Sequence, residues 1–94
     1  MLESKYEKQF KKDIKLAQKR GYKMELLSEI VEILINEETL PAKYRDHALI
    51  DNKKYKNVRE CHIESDWLLV YRIEKEVELL RLIRTGTHSD LFCL

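Results

Sequence analysis

Apolar residues recur along the first third of the chain at steps of three and four. Tyr6, Phe10, Ile14 and Ala17 fall on one face of a helix over residues 5–20, and lysines fill the rest of its surface. Gly21 follows, and glycine readily takes the left-handed backbone that ends helices. Leu27, Ile30, Val31, Leu34 and Ile35 make a second stripe, with Glu25, Glu29 and Glu32 on its wet side, so a second helix is predicted over 23–36. The short break between the two predicts an antiparallel helix hairpin.

From residue 56 the period shortens. The stretch NVRECHIE alternates apolar and polar, while DWLLVYRI and VELLRLIRT are apolar at nearly every position. The separators Glu64-Ser65-Asp66 and Glu74-Lys75-Glu76 are short and polar, which predicts successive hairpins in an antiparallel meander. Residues 37–55 between these regions have no clean period and read as an ordered loop or short extended pieces. A loop that long in a compact domain is usually functional or disordered. Residues 88–93 fit one terminal helical turn, and residues 1–4 an added edge strand. The fold class is therefore α+β, an N-terminal helix hairpin packed on a twisted antiparallel β-sheet. Helices on one face leave the other face of the apolar strands to be covered by the loop, the tail or a partner.

Composition narrows the function classes. The 94 residues are 44% hydrophobic and 37% charged, as expected for one soluble domain, 1–94. A domain this small holds one core and no enclosed cavity for a large cofactor. No apolar run is long enough for a membrane span, and MLESKYEKQFKK lacks the apolar middle of a signal peptide, so a cytoplasmic location is expected. Cys61 and Cys93 read as free thiols rather than a bridge. The net charge is only +1 but is unevenly spread: +5 over residues 1–24, −5 over 25–40, +3 over 41–60 and −2 over 61–94. Basic segments of this kind either attract a polyanion such as RNA or form a solvated helix face.

Three histidines, His47, His62 and His88, sit in the loop, the first long strand and the tail. Histidine titrates near neutral pH and suits proton transfer. In a meander the start of the second strand adjoins the end of the first and of the third. That brings His62, Asp66 and Arg84 to one end of the sheet, where the tail with His88 also emerges. Each residue has a plainer reading as well: His62 as a satisfied strand residue, His88 as a cap, Trp67 as core, Asp66 as a turn former, Arg84 as an ion-pair partner. Cys61 and His62 are adjacent in a strand and point to opposite faces, so they make a poor metal pair. Nothing fits a Ser–His–Asp nucleophile on a sharp glycine-flanked turn. Histidines with a carboxylate and an arginine suit RNA cleavage by ribose 2′-OH attack on the next phosphate, which requires no cofactor.

The segments FKKDIKLAQKRGY, LPAKYRDHAL, RECHIESDWLLVY and RTGTHSDLF resemble the YafQ branch of the RelE-like toxins of type II toxin–antitoxin pairs, over about residues 6–92. The resemblance implies a ribosome-dependent endoribonuclease (an mRNA interferase) that halts translation, with no cofactor and no metal. It carries functional positions onto His47, His62, Asp66, Trp67, Arg84, His88 and Phe92. It implies that His88 is the general acid, that His62, Asp66 and His47 share the base and phosphate-positioning roles, that Arg84 neutralises the phosphate, and that Phe92 and Trp67 stack on a base. It also implies a cognate antitoxin as partner, with DNA reached only through that antitoxin, alongside the ribosome and mRNA. One departure is Ile50-Asp51-Asn52 in place of a glycine-bearing turn. Two rivals stand beside this reading. A ParE-like gyrase inhibitor of the same fold lacks this histidine set, and a non-catalytic basic module would bind RNA or protein without cutting.

Overall fold

The computed structural model describes residues 1–50 and 57–92. The expectations that fall on Asp51, Asn52 and Cys93 lie outside the described residues. The chain opens with β1 (Glu3–Tyr6), continues through α1 (Lys8–Lys19) and α2 (Met24–Ile35), and then forms a short helical turn at Ala42–Tyr44. Next come β2 (His47–Ala48), β3 (Arg59–Glu64), β4 (Trp67–Glu74), a second short turn at Lys75–Val77, β5 (Leu79–Gly86) and α3 (His88–Phe92). The five strands form one sheet in the order β1-β5-β4-β3-β2. Gly21 takes φ 77° at the break between α1 and α2, as the spacing required.

Two boundaries differ from the sequence expectation. Residues 5 and 6 are strand, not helix, and Tyr6 is 46% exposed rather than part of the α1 stripe. The sheet is mixed, because β1 runs parallel to β5 while all other neighbours are antiparallel. Every β1 residue is exposed, so this strand is held by backbone pairing along the outer edge and leaves no apolar alternation to read. The loop also contributes more order than expected, in the Ala42–Tyr44 turn and in β2, where His47 pairs with Glu60.

The sheet is apolar on both faces, and each face has its own cover. On one side Phe10, Ala17, Leu27, Ile30 and Leu34 of the helices pack against Cys61, Trp67, Leu69, Tyr71, Leu80 and Leu82. On the other, Val58, Leu68, Val70 and Leu91 form a second cluster, with Leu49, Ile83 and Phe92 against it. The loop and the tail thus cover the face that the helices leave. Leu91 is fully buried, so α3 is docked by its own apolar residue. A register shift lets Val70 pair with Arg84 and Tyr71 with Leu82, leaving Ile83 as a bulged residue that joins the second cluster.

Candidate active site

The histidines come together on the tail-covered face. His62 lies on β3 two residues after Glu60, so alternation puts both on one side. β2 pairs with β3 so that His47 stands opposite Glu60. The rings of His47 and His62 are 6.3 Å apart, centre to centre, and those of His62 and His88 are 5.8 Å apart. His62 is thus the middle of a row of three.

Carboxylates hold this row. Glu60 is 4% exposed, and its Oε1 lies 3.4 Å from His47 Nε2 and 3.6 Å from His62 Nε2. His47 Nδ1 is 2.6 Å from the carbonyl oxygen of Arg45, which only accepts, so Nδ1 carries a hydrogen. Both nitrogens of that ring therefore face acceptors. At the other end, Asp66 in the β3–β4 turn accepts the His88 backbone N–H at 2.9 Å and lies 2.6 Å from His88 Nδ1. The His88 amide, and after it the His88 ring, holds the Asp66 carboxyl below the usual carboxylate range. With Nδ1 committed to Asp66, His88 Nε2 is the nitrogen left to meet a substrate.

Further contacts hold the loop and the tail in place. In the loop, Asp46 accepts the Tyr71 hydroxyl at 2.5 Å and two Arg59 N–H bonds, both at 3.2 Å. Burial, and after it the Asp46 carboxylate, pushes the Tyr71 phenol up, so Tyr71 stays a neutral donor. In the tail, Thr87 and Asp90 cap α3 reciprocally. Asp90 accepts the Thr87 amide at 2.9 Å, and Thr87 Oγ1 accepts the Asp90 amide at 3.0 Å. Arg20, just past the end of α1, donates two bonds to Asp90, at 2.6 and 3.2 Å. Asp90 is packed so close to the turn that a side-chain carbon on Gly86 would meet its Oδ2 at 2.8 Å.

The model of the bacterial toxin of type II toxin–antitoxin systems, YafQ, matches residues 2–93. This chain belongs to the YafQ toxin family. It is 47% identical over 88 residues to the mRNA interferase toxin YafQ of Escherichia coli (strain B / BL21-DE3), covering 93% of this chain and 91% of that protein. The toxin in the crystal structure of the E. coli DinJ–YafQ complex has a TM-score of 0.87 and 44% identity, over 98% of this chain and 99% of that one. A metal-bound toxin from Helicobacter pylori has a TM-score of 0.89 and 43% identity, over 98% and 100%.

Not every residue expected from the YafQ resemblance faces the histidine row. Trp67 is 2% exposed, packs its ring 4.9 Å from that of Tyr22 and donates to Thr85 Oγ1 at 2.8 Å. It belongs to the helix-side core. Arg84 donates to Asp13 at 2.7 and 3.2 Å, and Asp13 is itself buried. Its guanidinium is thus committed to an ion pair with α1, as an ordinary partner of a buried carboxylate requires. Phe92 packs half-buried against the second apolar cluster. Cys61 is a free buried thiol pushed up to about 12 by burial, then by the nearby Asp46 and Glu60 charges, and so is poorly reactive. Among the described residues, no group of three His, Cys, Asp or Glu side chains is arranged to hold a metal ion.

Sequence reading missed Glu60, Asp46, Asp13, Asp90 and Arg20. Two of these left a signal. Glu60 sits on the His62 face by strand alternation, and Thr87 and Asp90, three positions apart, have the spacing of a capping box. The Arg20–Asp90 pair spans 70 positions and leaves none.

Proposed function

We propose that the chain is an endoribonuclease that cuts mRNA on the ribosome by attack of a ribose 2′-OH on the adjacent phosphate, with no metal ion in the step. The observation that carries this reading is the row of histidines with Asp66 bonded to the outermost one. The 5.8 Å between the His62 and His88 rings lets groups on either side of one phosphorus reach both. His62 takes the 2′-hydroxyl proton. The bond from the 2′-oxygen to phosphorus forms as the bond to the 5′-oxygen breaks. His88, oriented through Nδ1 by Asp66, gives a proton from Nε2 to the departing 5′-oxygen. The products are a 2′,3′-cyclic phosphate and a 5′-hydroxyl. His47 and Glu60 hold the His62 side of the row and contribute its charge.

The same reading gives the chain an antitoxin partner, as in the DinJ–YafQ complex, and contact with DNA only through that partner. It also places the chain's work in the cytoplasm, where ribosomes are. Among the described residues no helix is long and apolar enough to cross a membrane. The test is cleavage of mRNA on purified ribosomes, with end mapping. Ends that carry a 2′,3′-cyclic phosphate and a 5′-hydroxyl, and that vanish when His47, His62 and His88 are all replaced by alanine, are expected. Cleavage that survives the triple replacement, or ends that carry a 3′-hydroxyl and a 5′-phosphate, overturns the mechanism.

A further inference from the structure

The reaction needs positive charge beside the phosphate, and Arg84 is bound to Asp13. The other arginines with carboxylate partners are equally committed: Arg20 to Asp90, Arg59 to Asp46, and Arg81 to Glu74 and Glu7. Arg45 differs. It is exposed and makes no ion pair among the described residues. Its side chain lines a hollow of about 200 Å³ together with Lys43, His62, Ile63, Glu64 and Ser65. The hollow therefore opens directly on the central histidine of the row.

We propose that Lys43 and Arg45 form a binding subsite for an RNA backbone phosphate that flanks the scissile one. This rests on the endoribonuclease reading above. Two cations face one carboxylate, Glu64, and Ser65 adds a hydroxyl donor. The Lys43 ammonium sits 5.0 Å from the centre of the buried Tyr44 ring, which positions it without using its N–H donors. Arg45 has φ 50° and ψ 41°, the left-handed backbone that closes the Ala42–Tyr44 turn. Glycine or asparagine fills such a position at lower cost, so the backbone gives no reason for an arginine there. The side chain gives one: a planar guanidinium fork suited to binding a phosphate bidentately. The Arg45 carbonyl meanwhile fixes His47 at 2.6 Å, so one residue joins the phosphate grip to the histidine row.

The test exploits the backbone. Arg45→Gly and Arg45→Asn keep the left-handed conformation without the guanidinium, so both variants are expected to fold with an unchanged or higher Tm. Each is combined with Lys43→Ala. Cleavage is measured against ribosome concentration, and binding is measured with mRNA carrying a 2′-deoxy residue at the cut site. Loss of one phosphate contact raises the half-saturating concentration on the order of tenfold, leaves kcat nearly unchanged and lowers the salt slope by about one per cation. A single methylphosphonate linkage beside the scissile bond in the mRNA is expected to weaken wild-type binding similarly and to have little further effect on the variants. Additive losses place the contact on ribosomal RNA and overturn an mRNA subsite. Variants that match wild type in half-saturation and salt slope overturn the subsite altogether. If wild type itself cuts nothing, the endoribonuclease reading fails first.

Discussion

Asp90 holds the tail in place, and its replacement by alanine tests how His88 is positioned. Asp90→Ala removes the amide bond to Thr87 and both bonds from Arg20. The cap contributes about 1 kcal/mol. The ion pair is bidentate but partly wet, its two side chains 33% and 24% exposed, so solvent leaves it about 1 kcal/mol more. Losing about 2 kcal/mol shifts the docking equilibrium of α3 by roughly 30-fold. Leu91 reports this directly, because its amide donates to the Thr87 carbonyl at 3.1 Å while its side chain is fully buried. Amide exchange at Leu91 is expected to speed up by about 30-fold, while the central strand β4 exchanges nearly as in wild type. Displacing His88 from Asp66 is expected to slow cleavage by about 10- to 100-fold.

The Asp90 carboxyl is held well below the usual range, first by Arg20 and next by the Thr87 amide. A depressed folded value means that the stabilisation is full above the unfolded pKa of about 3.9 and is lost as pH falls through the lower folded one. The latch therefore has constant strength at neutral pH. Reversing the pair, Arg20→Asp with Asp90→Arg, restores the charge contact but not the cap and is expected to recover part of both readouts. Unchanged Leu91 exchange in Asp90→Ala refutes the latch. Faster exchange with unchanged cleavage refutes its link to His88.

Two further outcomes separate structural from chemical roles. Trp67→Phe breaks the buried bond to Thr85 and is expected to cost about 1–3 kcal/mol in denaturant unfolding, with cleavage per folded molecule retained. A normal midpoint with lost cleavage would return Trp67 to the RNA. For Asp66, carboxyl titration by NMR is expected to show a midpoint below the ordinary value. Its stabilising contribution is present above the unfolded value and lost as pH falls below it. Because the His88 backbone amide is the leading cause, His88→Ala is expected to keep part of the shift, and a return to the ordinary value would mean that the ring dominates.

What the sequence disclosed follows from which interactions are periodic. Both helices, the three long strands and the clustering of His62, Asp66 and His88 rest on repeated apolar spacing and on hairpin adjacency, which are local properties. An edge strand was expected over residues 1–4, but the bounds of β1 and its parallel pairing with β5 were not legible, because an exposed edge strand needs only backbone partners. Arg84 and Trp67 were placed at the correct end of the sheet, but strand order alone does not say which face a side chain takes after a bulge or what buried group claims it. Asp13, hidden among the lysines of α1, decides the direction of Arg84, and Thr85 and Tyr22 decide that of Trp67. In each case a buried polar group is satisfied from a distant segment, and motif position does not disclose that partner. The same requirement explains why Arg45 is the informative cation. The arginines bound to carboxylates are satisfied within the fold, whereas Arg45 keeps a costly backbone conformation and turns its charge toward the space beside His62.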